Sequence, residues 1–73
     1  MDSSRQDQML RKIGKRLKKT REEKGLSLRE LADKAEVAYN TIHRVEQGLA
    51  DPRATTILYL AEALGVDPAI FFK

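Results

Sequence analysis

Five side chains between positions 39 and 47 could act together through hydrogen bonds: Tyr39, Asn40, His43, Arg44 and Gln47. At 3.6 residues per turn these positions share one side of a helix. They bring hydroxyl, amide, imidazole and guanidinium groups together, so the row offers both donors and acceptors. The other side carries Ile42 and Val45, a narrow apolar stripe that holds the helix down. A helix that spends its outer face this way is built to be inserted, and the major groove of DNA is the recess that admits one.

Such a helix needs a neighbour to aim it. Just upstream, Ser27 and Glu30 stand at capping-box spacing. Leu28, Leu31, Ala32 and Ala35 follow at steps of three and four, giving one apolar stripe. The turn falls at Glu36 to Ala38, so Ser27 to Gly48 reads as helix, turn, helix. A first helix is expected from about Arg5 to Lys24, capped by Ser3 or Ser4, with Met9, Leu10, Ile13 and Leu17 inward. Gly25 ends it, as a glycine just past a lysine-bearing last turn does. The short loop Leu49 to Pro52 leads to a fourth helix over Ala54–Leu64, with Ile57, Leu60, Ala61 and Leu64 inward. Asp67 and Pro68 open a last short helix through Ile70, Phe71 and Phe72. The expected fold is all-α, with five helices and no strand. Residues 9–73 form one domain, and residues 1–8 are a candidate flexible segment.

At 73 residues the chain is one small domain, which buries only about 60% of its unfolded surface and often gains from a partner subunit. Without cysteine it can hold neither a disulfide nor a thiolate zinc site. A single histidine without clustered ligands argues against a metal, and no nucleophile–base pair argues for an enzyme. No cofactor and no small-molecule ligand are expected. The longest uncharged run, Ala54 to Ala61, is too short to span a bilayer, and the N-terminus lacks the apolar core of a signal peptide. The expectation is a soluble, cytoplasmic protein. The net charge of +3 is unevenly placed: Arg11 to Arg21 holds seven basic residues and no acidic one. Such a stripe suits a polyanion; a plain solvated helix face is the alternative.

Two charges fall on inward positions. Arg21 lies four residues after Leu17, itself four after Ile13, and Glu46 lies four after Ile42. Burying either alone would cost several kcal/mol, so opposite signs at two such positions point to a structural ion pair. The alternative is that Arg21 snorkels to water while Glu46 serves the helix end.

These features together resemble the phage repressor and Cro-type (XRE-like) helix-turn-helix family. The likeness rests on Arg21 through Ser27, Leu31-Ala32, Val37, Ile42, Val45-Glu46, Gly48, Pro52, Leu60-Ala61 and Leu64-Gly65-Val66, and covers about Ile13 to Phe71. It implies a compact five-helix lambda-repressor-like domain with its helix-turn-helix in helices two and three. It implies base contacts from Tyr39, Asn40, His43 and Arg44. Asn40 can pair with adenine, Arg44 can fork onto guanine, and Tyr39 can meet a thymine methyl or a phosphate. His43 can donate to a base or a phosphate. Phosphate contacts are expected from the amides of Leu28 and Arg29 at the second helix's N-terminus. By position in the family they are also expected from Thr41, Gln47 and Arg53, and from Arg21 while it pairs with Glu46. Three positions depart from the family's habit: Leu28 replaces a frequent glutamine, Glu36 a turn glycine, and Ala38 a Ser or Thr cap.

The implied function is a sequence-specific double-stranded DNA-binding transcriptional regulator, a small repressor or restriction-modification controller. It would act as a homodimer on a palindromic operator, with Ile70, Phe71 and Phe72 as candidate dimer contacts. A different reading keeps the fold but makes another protein the principal partner, as in an antitoxin-like or anti-regulator module. With no second domain expected, regulation would come from concentration, dimerisation or a partner.

Overall fold

The apolar stripes become four α-helices and one short 3-10 helix in the structure, a computed structural model that describes residues 3–73. α1 spans Ser3–Glu23, and its 21 residues at about 1.5 Å each nearly fill the molecule's 35 Å long axis. It closes through Gly25, whose φ of 71° turns the chain left-handed. The Leu26 amide can then donate to the Arg21 carbonyl at 3.1 Å. α2 (Leu28–Ala35) and α3 (Tyr39–Glu46) follow, then α4 (Ala54–Leu64) and a 3-10 helix over Pro68–Phe72. No strand occurs among the described residues.

Three details differ from the sequence reading. The fifth element is not an α-helix: it is five residues long, with Ile70 donating to the Asp67 carbonyl three residues back, a spacing suited to short pieces. α1 starts at Ser3, so residues 3–8 of the candidate flexible segment continue the helix, while residues 1–2 lie outside the described residues. Ser3 and Ser4 accordingly sit within its first turn rather than before it. Met9 is 51% exposed rather than inward, because its end of α1 runs past the elements that cover Leu17.

Leu17, Leu31, Ile42, Val45, Leu60 and Phe71 form the fully buried centre, one or two from each element. α1 packs on α3 and on the 3-10 helix, while α2 packs on α3 and α4. The tightest approach is at Gly14. A Cβ there would stand 2.4 Å from the Val45 carbonyl oxygen and 2.6 Å from that of Glu46. Only a residue without a side chain lets α1 cross the end of α3 so closely. That crossing sets which side of α3 is left open.

Candidate nucleic-acid interface

α2 is held at its start by the reciprocal cap. The Glu30 amide donates to Ser27 Oγ at 3.0 Å, and the Ser27 amide donates to Glu30 Oε1 at 2.8 Å. The bond from the Ser27 amide, then that with its hydroxyl, holds the Glu30 carboxyl below its ordinary pKa. Leu28 and Arg29 are the first two residues of α2, where backbone amides have no carbonyl within the helix to bond. α2 ends at Glu36, a non-glycine residue at φ 57°, and the chain turns directly into α3. α3 is preceded at its N-cap by Ala38, whose side chain cannot cap.

Ile42 and Val45 are buried behind α3, at 0% and 1% exposure. On its open side Tyr39, Asn40, His43, Arg44 and Gln47 are all exposed. The Arg29 guanidinium lies 5.5 Å over the Tyr39 ring, and the Tyr39 and His43 rings are 6.1 Å apart at a 46° tilt. Arg29, from α2, thereby limits where Tyr39 can point, with cation–π attraction of about 0.5–1 kcal/mol at such a site. Among the described residues Arg44 is tethered only by a long 3.4 Å bond from Nη2 to the Leu49 carbonyl. A bond that long is weak and readily exchanged for a better acceptor.

Two crevices flank this ridge. One is lined by Lys18, Arg21, Leu28, His43, Glu46 and Gln47. At its base Arg21 Nε donates to Glu46 Oε2 at 2.7 Å and Nη2 to Oε1 at 3.0 Å, with the side chains 9% and 4% exposed. Its Nη1 donates to the Leu26 carbonyl at 2.8 Å. The hydrogen bonds to Glu46 raise the Arg21 pKa above its already high ordinary value, against the opposing effect of burial. The guanidinium therefore stays charged, and two of its five N–H groups remain free. The other crevice holds half-buried Thr41 and exposed Arg53, with Glu36 and Asp51 close by. Glu46 on the first side is matched by Arg21, and among the described residues neither Lys18 nor Arg53 is in an ion pair.

The structure separates the terminal candidates. Phe71 is fully buried in its own core and has no surface for a partner; Ile70 is half-buried, and Phe72 is 58% exposed. Sequence reasoning did not single out Lys18 or Gly14. Lys18 stands one turn before Arg21 on the same side of α1, a signal that was present in the spacing.

The profile of the helix-turn-helix domain family matches residues 12–70 of the chain. A curated protein of Methanothermobacter thermautotrophicus, named as an HTH-type transcriptional regulatory protein, is 47% identical over 53 residues. The match covers 73% of this chain and only 17% of that relative's length. Among solved structures, the restriction-modification controller protein C.AhdI from Aeromonas hydrophila superposes with a TM-score of 0.84 at 36% identity, covering 86% of this chain and 96% of that one. An HTH_3 family transcriptional regulator from Vibrio cholerae gives 0.86 at 27% identity, covering 92% of this chain and 38% of the other. A mutant of the restriction-modification controller protein C.Esp1396I gives 0.80 at 26%, covering 88% and 81%.

Proposed function

Because the chain belongs to the XRE-like helix-turn-helix domain family, we propose that it is a sequence-specific double-stranded DNA-binding regulator of transcription, of the small repressor or restriction-modification controller type. The observation that carries this reading is the open face of α3, where Tyr39, Asn40, His43 and Arg44 project from a helix braced by buried Ile42 and Val45. Near-complete coverage of a controller protein by a similar chain supports the controller type.

In this reading α3 lies in the major groove with its N-terminal turns toward the base edges. Asn40 and Arg44 supply two-pronged contacts, and Arg29 steadies Tyr39 against a thymine methyl or a phosphate. The amides of Leu28 and Arg29, with Arg21, Gln47, Thr41 and Arg53, grip phosphates on the two flanks and set register. One such helix reads few base pairs, so useful specificity needs a homodimer on a two-fold symmetric operator. Phe72 and Ile70 are the contacts proposed for that dimer.

Selecting bound sequences from random duplexes tests the reading directly, with a symmetric motif as the expected result. Arg44→Ala should then relax preference at one base position, at a cost of about 1–3 kcal/mol there. Arg53→Ala should weaken all sequences alike and make the salt slope shallower by about one. No enriched motif, together with binding to duplex that ignores salt, would remove the DNA reading and favour a protein partner.

A further inference from the structure

The cations of α1 line two crevices. Lys18 joins His43 and Gln47 in the crevice beside the reading helix. Arg11, Lys12, Lys15, Arg16 and Lys19 line a different groove, which Lys73 completes from the end of the 3-10 helix. Lys19, Lys12 and Arg16 stand about 100°, 120° and 160° around the helix from Lys18 and so face away from α3, while Lys15 lies between and Arg11 sits against Gly48 at the end of α3. Among the described residues no Asp or Glu side chain lines this second groove. Among the described residues none of its cations is in an ion pair, since the one that occurs joins Arg21 to Glu46.

This arrangement costs helix stability. Arg11–Lys15, Lys12–Arg16 and Lys15–Lys19 are like-charged pairs four residues apart, each destabilising by about 0.2–0.5 kcal/mol. Solvation alone needs no such crowding.

We propose that this outer face of α1 is a second phosphate-binding surface, which holds the backbone of a DNA duplex other than the one on α3. From Lys12 to Lys19 the face runs about 10 Å at 1.5 Å per residue, the length of about three phosphates of one strand at about 3.4 Å each. Among the described residues the groove has no aromatic side chain on which exposed bases could stack, which disfavours a single strand. Its described lining is Gln8 and the cations, with no apolar side chain beyond their stems, which disfavours an acidic protein surface, whose interface would have an apolar centre. What remains matched is the regular charge of a duplex backbone. The protein would thereby bridge two duplex segments, or pass from one to another without letting go.

The test mixes the full chain with two duplexes of unrelated sequence, each carrying one partner of a fluorescence-transfer pair, and compares it with the Lys12→Gln, Lys15→Gln, Arg16→Gln, Lys19→Gln variant. Glutamine keeps helix propensity close to that of lysine, so the fold is retained. The expected result is transfer between the two duplexes that the variant loses at least tenfold, while a single duplex still binds through α3. The salt slope for the second duplex should become shallower by up to about 3.6, four times the value per phosphate. Bridging that survives in the variant would mean that two α3 faces of a dimer account for it, and would overturn the proposal. As a second readout on the unaltered chain, backbone amides of residues 12–19 should shift on titration with duplex, and should still do so when Asn40→Ala and Arg44→Ala disable α3. Unmoved amides there would overturn the proposal without touching the reading of α3. Shifts produced equally well by a poly-glutamate peptide or a single-stranded oligonucleotide would overturn the choice of duplex.

Discussion

Arg21 donates three hydrogen bonds from a side chain only 9% exposed, two to Glu46 and one to the Leu26 carbonyl. That makes it a clamp on three segments: α1, the end of α3, and the turn into α2. Removing Glu46 alone would leave a guanidinium buried beside α3 without its counter-charge, which costs about 3–5 kcal/mol. A domain of this kind has about 5–15 kcal/mol in total, so Glu46→Ala should take a large share of the margin. Replacing both partners with apolar residues, as in Arg21→Met with Glu46→Leu, should recover part of the loss. Recovery stays incomplete because the Leu26 carbonyl then loses its donor. Urea unfolding of the three proteins measures this, and a cost below about 1 kcal/mol for Glu46→Ala would show that the pair locks nothing. The pairing was legible in the sequence because four-residue steps from Ile13 through Leu17 land on Arg21. The bond to Leu26 was not, since it exists only once Gly25 has folded the chain back on itself.

At the scale of elements the decisive contacts join helices, and this is where local pattern stops being informative. The capping box, the turn at Glu36 to Ala38 and the bounds of α2, α3 and α4 follow from spacings within a few residues, and they were readable as such. Gly14 gave no comparable signal: a lone glycine in a helix looks like a defect worth about 1 kcal/mol against alanine. The crossing of α1 over α3 reverses that judgement. Gly14→Ala gains the helix propensity but drives a methyl to 2.4 Å from a backbone carbonyl that cannot rotate away. Overpacking of this kind costs about 1–3 kcal/mol and more against backbone, so the variant should be less stable than the parent and its α3 displaced. A rise in melting temperature would refute the close approach. Met9 failed to turn inward for a similar reason, since periodicity does not say where the covering elements end. Glu36 points the opposite way. A left-handed residue with a side chain carries about 1–2 kcal/mol of strain, so Glu36→Gly should stabilise by about 1 kcal/mol once its extra unfolded freedom is deducted. A denaturation midpoint that falls instead would mean that the Glu36 side chain makes a contact worth more than the strain.

For the whole molecule the outward feature is Phe72, exposed by 58% beside a fully buried Phe71. Adjacent residues in a short 3-10 helix cannot both face inward, so burying Phe71 forces Phe72 out. The proposed homodimer uses that outcome. A two-fold axis buries each contact twice, once from each protomer. With about 1.5–3 kcal/mol for one phenylalanine removed from water, two copies give about 3–6 kcal/mol. Phe72→Lys should therefore raise the dimer dissociation constant about a hundredfold or more, read by sedimentation across a range of protein concentrations. Operator binding should then require correspondingly more protein, because each half-site must be filled separately. Base preference within a half-site should be unchanged, since α3 and its bracing by Ile42, Val45 and Gly14 lie elsewhere. The spacing supplies a second reading of the same variant. In the parent, half-site centres should lie about 34 Å apart, one helical turn of duplex. In the variant that constraint should relax, and selected sequences should hold single half-sites without fixed separation. An unchanged sedimentation profile would move the dimer contact away from Phe72. A fixed half-site spacing kept by a monomeric variant would mean that DNA itself, rather than protein contact, sets the separation.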